Sequence, residues 1–155
     1  MVIDKIKILY VDDEENNLFS FKATFRIKYE VLTATSAQKA IEILNDTPGI
    51  AIIVTDQRMP NMTGVEFLGA ILDDHPDPMR ILITGYTDIN ALIEAVNKGK
   101  IFHYLNKPWN EEELVQTIER AHEVYKNKMQ EKSYKEALMR TSDQMEFLLR
   151  QKLLD

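Results

Sequence analysis

A chain of 155 residues has room for one domain and little beyond it. Its 45% apolar and 28% charged residues suit a globular protein with a core of its own. The absence of cysteine excludes disulfides, thiolate zinc sites and cysteine nucleophiles together, and a formal net charge of -6 speaks against a nucleic-acid-binding face.

No apolar run reaches the roughly 18 residues that a membrane span needs. The opening stretch from Met1 to Glu15 turns acidic after one short apolar run, so no export signal is expected. With the missing cysteines, this fits a cytoplasmic location.

Taken from the N-terminus, short β-branched runs alternate with helical patterns. The first run is Ile6-Lys7-Ile8-Leu9-Tyr10-Val11, followed by Leu18, Phe21 and Phe25 at helix spacing. A weaker run, Tyr29-Glu30-Val31-Leu32-Thr33-Ala34, precedes Ala37, Ala40, Ile41 and Leu44, which stop at Asp46-Thr47-Pro48-Gly49. Ile50-Ala51-Ile52-Ile53-Val54 is the most apolar run, and Val65, Leu68, Ile71 and Leu72 follow Gly64. Arg80-Ile81-Leu82-Ile83-Thr84 leads into Ile89, Leu92, Ile93 and Val96, which end at Gly99. Ile101-Phe102-His103-Tyr104-Leu105 closes the series, and Asn110 with Glu113 forms a capping box for the last helix.

Runs that are apolar on both faces suit parallel strands covered by helices on each side. Five β-then-α units in a row predict an α/β fold, an open doubly wound parallel sheet with right-handed crossovers. Ligands then bind at the carboxyl ends of the strands.

The last helical pattern outruns that fold. Between Asn110 and Asp155 there is no proline or glycine, and Ile118, Ala121, Tyr125 and Met129 keep near-heptad spacing. Leu138, Met145, Leu148 and Leu149 keep only part of it. A long projecting helix is expected, with a frayed tail as the alternative, and the spacing makes pairing with a second copy an expectation.

Chemistry sits just past the strongest runs. They end in Val11-Asp12-Asp13, Val54-Thr55-Asp56, Ile83-Thr84-Gly85 and Leu105-Asn106-Lys107-Pro108. In a parallel sheet these ends share one rim, so three carboxylates, a hydroxyl and an ammonium meet in a shallow pocket. Crowded carboxylates call for a hard divalent cation. Mg²⁺ suits, since it keeps waters and a phosphate oxygen beside a few carboxylates. Lys107 adds a second positive centre and Thr84 a hydroxyl donor, and phosphoryl transfer rests on such positioning and electrostatics. A carboxylate nucleophile is chemically sound here.

With Asp12-Asp13, Asp56 followed by Met59-Pro60 and Gly64, Thr84, Tyr104 and Lys107-Pro108, the chain resembles the receiver domains of bacterial two-component response regulators. The resemblance covers residues 4 to 125. It implies a flavodoxin-like sheet in the order 2-1-3-4-5, a receiver domain over 1–125, and a helical extension or linker over 126–155. It implies that Asp56 accepts a phosphoryl group from a histidine kinase or phosphotransfer protein. Asp13 would be a direct Mg²⁺ ligand, Asp12 would act mainly through water, and the Arg58 carbonyl would complete coordination beside Asp56. Lys107 would pair with Asp56 and then with the phosphate, across a cis bond to Pro108. Thr84 would move toward the phosphate and Tyr104 would swing inward behind it, switching contacts with an output domain or downstream protein. Such a chain is a switch, not an enzyme beyond promoting its own phosphorylation and dephosphorylation.

Thr55-Asp56-Gln57-Arg58-Met59-Pro60, Thr84-Gly85-Tyr86-Thr87-Asp88 and Phe102-His103-Tyr104-Leu105-Asn106-Lys107-Pro108-Trp109 resemble a receiver subgroup. Its members are often joined to cyclic-nucleotide or cyclic-dinucleotide enzymes, phosphatases or transcription activators. Arg58 and Tyr86 are bulky neighbours expected to tune the phosphate's lifetime. The ending Arg150-Gln151-Lys152-Leu153-Leu154-Asp155 fits a receiver excised with its connecting helix better than a stand-alone regulator.

Plainer readings exist for each piece. Asp12-Asp13-Glu14-Glu15 also reads as an acidic helix start, Lys107 as a solvated loop lysine, and Thr84 as an ordinary strand end. Tyr104 also reads as a core aromatic. His75, His103 and His122 have no ligand spacing, and Trp109 is expected at the base of the last helix. An aspartyl-phosphate phosphatase or mutase would carry a second aspartate where Arg58 stands, and a nucleotide-binding domain would carry a glycine-rich loop after the first strand. A phosphorylation-independent interaction module on the same fold remains open.

Overall fold

The structure is a computed structural model that describes residues 4–85 and 89–154, apart from the side chain of Ala91. Tyr86, Thr87 and Asp88 of the subgroup motif, and Asp155 at the chain's end, lie outside the described residues.

Strands and helices alternate throughout: β1 (Lys7–Val11), α1 (Glu15–Phe25), β2 (Glu30–Ala34), α2 (Ala37–Asp46), β3 (Ile50–Asp56), α3 (Gly64–Ile71), β4 (Met79–Thr84), α4 (Ile89–Asn97), β5 (His103–Asn106) and α5 (Glu111–Leu154). All pairings are parallel, in the order β2-β1-β3-β4-β5. The chain reverses its direction of travel across the sheet between β1 and β3, so the loops after these two strands part and leave a crevice at their carboxyl ends. This is the flavodoxin-like order implied by the resemblance.

Side chains alternate across the sheet with a period of two, and the two helix layers follow from that alternation. Ile8, Tyr10, Ile52, Val54, Ile81 and Ile83 face one layer, packed with Leu18, Phe21 and Phe25 of α1 and Leu114, Ile118 and Ala121 of α5. Leu9, Val11, Ile53 and Leu82 face the other, with residues of α2, α3 and α4. Every residue of β3 is buried, as a strand with neighbours on both edges and helices on both faces requires. Among the described residues no helix is long and apolar enough to cross a membrane.

One expectation is corrected. The fifth apolar run becomes strand only from His103, not Ile101. Ile101 is buried, and Phe102 donates its N–H to the Arg80 carbonyl while still in the connection. That connection is pinned from outside the sheet, because the Arg80 guanidinium donates to the carbonyls of Lys100, Gly99, Pro78 and Pro76. Helix α4 forms as the spacing predicts, and of its described apolar side chains Leu92 and Ala95 are buried, while Ile89, Ile93 and Val96 are exposed. With one turn of α4 satisfying the sheet, its other apolar side chains have nothing to cover.

The last helix runs unbroken for 44 residues, a length of roughly 66 Å at 1.5 Å per residue. Asn110 Oδ1 accepts from the Glu113 N–H at its start, the expected cap. Leu114, Thr117, Ile118 and Ala121 are buried, and Tyr125 is half-buried against the core. Lys132 Nζ lies 3.3 Å from Asp77 Oδ2, tying the helix to the loop before β4. From Gln130 to Leu154 every residue is exposed, so the segment is a projecting helix and not a frayed tail.

Candidate functional site

Asp12 and Asp13 follow β1, and Asp56 ends β3, on either side of the crevice where the sheet order reverses. Carboxylate oxygens of the three lie within 4.8 Å of one another. That is close enough for one hard cation to draw on all three, directly or through its own waters. The three are not equivalent. Asp12 is fully buried and Asp56 nearly so, while Asp13 is exposed and has no hydrogen-bond or ion-pair partner among the described residues.

Lys107 follows β5 and reaches across β4 to the same crevice, with Nζ 2.6 Å from Asp56 Oδ1. The Lys107–Pro108 peptide bond is cis, as expected. Burial is the largest influence on Asp56 and pushes its carboxyl above the ordinary range, against the pull of Lys107 and with a further push from Asp12.

The loop between Asp56 and α3 is held by its first residue. Gln57 donates its N–H to the Ile83 carbonyl, and its own carbonyl and side-chain Oε1 accept from the N–H groups of Gly64 and Val65. Asn61 takes a left-handed conformation, φ 71°, which asparagine tolerates. Thr63 caps α3, and exchanges a second hydrogen bond with Glu66. Arg58 lies exposed in this loop, two residues past Asp56.

Thr84, at the end of β4, is buried, and its hydroxyl donates to the Gly85 carbonyl at 2.9 Å. Tyr104 is 43% exposed and turned outward, so the reading of it as a core aromatic does not hold. Its ring lies beside Ile89, Ile93 and Val96 along an apolar groove between α4 and β5. Trp109 packs where expected, at the base of α5 against Phe21 and Phe25. His75 pairs with Asn45, Nε2 to Oδ1 at 2.8 Å, and the three histidines do not assemble.

Sequence reasoning missed Tyr10, Asn17 and Gln57. The hydroxyl of Tyr10 donates to Asp12 Oδ2 at 3.0 Å, and Asn17 Nδ2 donates to the same oxygen at 3.1 Å. Burial first, then the adjoining Asp12 carboxylate, push the Tyr10 phenol far above its ordinary value, so it stays a neutral donor. The signal for Tyr10 was available: residues two apart along a strand point to the same side.

The chain matches the family model for the response regulator receiver domain over residues 8–119. It is 40% identical over 117 residues to the hydrogenase transcriptional regulatory protein HoxA of Cupriavidus necator, covering 76% of this chain and 24% of that one. It is 33% identical over 115 residues to the transcriptional regulatory protein FixJ of Rhizobium meliloti, covering 73% of this chain and 55% of that one. Among solved structures, a receiver domain protein from Clostridium thermocellum superposes with a TM-score of 0.74 at 33% identity, over 78% of this chain and 97% of that one. The chain thus spans about a quarter of the length of the hydrogenase regulator it matches. Family match, sheet order and the acidic crevice agree, and the chain belongs to the response-regulator receiver domains of two-component signalling systems.

Proposed function

We propose that the chain is a Mg²⁺-dependent phosphoacceptor switch with Asp56 as the acceptor. The observation that carries this reading is the pairing of a nearly buried Asp56 with Lys107 at 2.6 Å beside two further carboxylates. A receiver that worked by docking alone would have no use for that concentration of buried charge, which costs stability.

In this reading an Asp56 oxygen forms a bond to phosphorus as the N–P bond of a kinase's or phosphotransfer protein's phosphohistidine breaks. The departing imidazole keeps the electron pair and takes up a proton. Mg²⁺, when bound, supplies positive charge to the transferring phosphoryl oxygens. Asp13 and Asp56 would hold it directly, with the Arg58 carbonyl, and Asp12 mainly through water. Lys107 neutralises a second oxygen. Thr84 releases the Gly85 carbonyl to donate to a third, which frees space for Tyr104 to leave its exposed position. Arg58, exposed two residues past Asp56, tunes the phosphate's lifetime.

Residues 1–125 form the receiver unit in this reading, and 126–155 the connection through which an output domain or downstream protein is switched. Leu138, Met145, Leu148 and Leu149 are exposed along that connection. We read them as a face for a second copy in parallel, expected to sediment as a dimer at high concentration. A monomer both with and without a phosphate mimic would remove the pairing.

The test of the acceptor is intact mass after incubation with Mg²⁺ and acetyl phosphate. One phosphoryl group is expected on the natural chain, and none without Mg²⁺ or in Asp56→Asn. A folded protein that gains no mass under any condition would instead favour the phosphorylation-independent interaction module.

A further inference from the structure

We propose that Tyr10 is a positioning residue that fixes the plane of the Asp12 carboxylate, so that the open acceptor position of Oδ1 is held toward the metal. The proposal rests on the Mg²⁺ reading of the crevice and concerns a residue one step behind it.

Count the donors around Asp12. Oδ2 accepts from the Tyr10 hydroxyl and from Asn17 Nδ2, so both of its in-plane acceptor positions are taken. Among the described residues Oδ1 accepts only the Glu14 N–H, at 2.9 Å. One acceptor position is left on this carboxylate, and it belongs to Oδ1. An aspartate's terminal torsion is soft, so an unsecured carboxylate would swing its plane. Here such a swing would have to break three hydrogen bonds in a fully buried group.

Tyr10 is suited to the task because its ring cannot shift. It stacks on Phe21 with centroids 4.0 Å apart and planes 2° from parallel. Phe21 in turn meets Trp109 at 6.1 Å, edge to face, and Trp109 follows the Lys107-Pro108 pair. One aromatic column therefore abuts both sides of the crevice, the aspartate side through Tyr10 and the lysine side through Trp109. Asn17, at the half-exposed first turn of α1, closes the same oxygen from outside.

The test is calorimetric titration of metal-free protein with MgCl₂. Tyr10→Phe keeps the stack and removes only the hydroxyl, and is expected to weaken Mg²⁺ binding on the order of tenfold, as loss of an orienting partner does at other metal sites. Asn17→Ala takes the second donor from the same oxygen without touching the core, and should weaken binding in the same direction. Phe21→Leu loosens packing but leaves the hydroxyl, so its affinity should stay nearer the natural chain's than that of Tyr10→Phe. Thermal unfolding in EDTA identifies any variant that has lost its fold. If Tyr10→Phe and Asn17→Ala both stay within about twofold of the natural chain, or Phe21→Leu loses as much as Tyr10→Phe, Tyr10 is only packing and the proposal falls. A natural chain that binds no Mg²⁺ overturns the metal reading itself, a result distinct from either.

Discussion

Asp13→Asn is expected to raise the Mg²⁺ dissociation constant on the order of a hundredfold while slightly stabilising the metal-free protein. The three carboxylates of the crevice have different freedom. Asp12 has its oxygens committed to Tyr10, Asn17 and Glu14, and Asp56 is paired with Lys107. Asp13 is exposed and unpartnered among the described residues, so of the three carboxylates it has the most freedom to approach a cation. In the Mg²⁺ reading its charge also bears directly on the ion. A unit charge about 4 Å from a divalent ion interacts by several kcal/mol even at an effective dielectric of about 20, and hydration of the freed ion recovers only part.

Without the ion the same charge is a burden. The Asp13 carboxylate lies within 4.8 Å of those of Asp12 and Asp56, and like charges at that distance repel. The two effects of Asp13→Asn therefore have opposite signs, which separates a metal ligand from a surface acid. Calorimetric Mg²⁺ titration gives the first, and thermal unfolding in EDTA the second. Unchanged Mg²⁺ affinity would remove Asp13 from the coordination shell.

What the sequence made legible follows from which constraints are local. The strands were readable because a parallel sheet covered on both faces demands unbroken apolar runs, and Ile50 to Val54 meets that demand at every position. Their order followed once the motif was recognised, and the meeting of Asp12, Asp13, Asp56 and Lys107 followed from parallel strands ending on one rim. The start of β5 was not readable. Ile101 and Phe102 are as apolar as a strand, and it is the Arg80 guanidinium gripping the Lys100 and Gly99 carbonyls that shapes the chain there. Four carbonyls closing on one side chain leave no periodic trace.

Helix α4 shows a different limit. Periodicity identifies a helix whose residues alternate between inside and outside, but Ile89, Ile93 and Val96 are apolar and outside. Composition does not tell a core face from an exposed apolar one. At the site, the charged groups were found and their supports were not. Tyr10 looks like one more strand aromatic until its hydroxyl is seen on Asp12. Gln57 looks like loop filler until it is found bridging Ile83, Gly64 and Val65. Hydrogen-bond partners distant in sequence depend on loop geometry that no run of residues encodes by itself.

Two glycines of α3 should respond to alanine with opposite signs. A Cβ on Gly64 would collide with the Asp56 carbonyl oxygen and come within 2.7 Å of Leu82 Cδ1. Both neighbours are fixed: one is backbone of β3, the other a buried core side chain on β4. Relief requires α3 to retreat from the sheet, which stretches the Gly64 and Val65 N–H bonds to Gln57 and moves the loop that carries Arg58. Gly64→Ala should lose about 3 kcal/mol, the upper range for overpacking, and lower the unfolding midpoint by roughly 6–12 °C. Because that loop starts at Asp56, Mg²⁺ affinity should fall with it. A Cβ on Gly69, five residues on, would meet only the Lys100 side chain, nearest at 3.4 Å from its flexible ammonium end. Here alanine's helix preference prevails, and Gly69→Ala should gain up to about 1 kcal/mol. Urea unfolding of the two variants side by side decides the matter. A Gly64→Ala protein as stable as the natural chain would mean that α3 does not sit against Asp56 as closely as the structure shows. The glycine in the resemblance's motif would then owe its place to something other than contact.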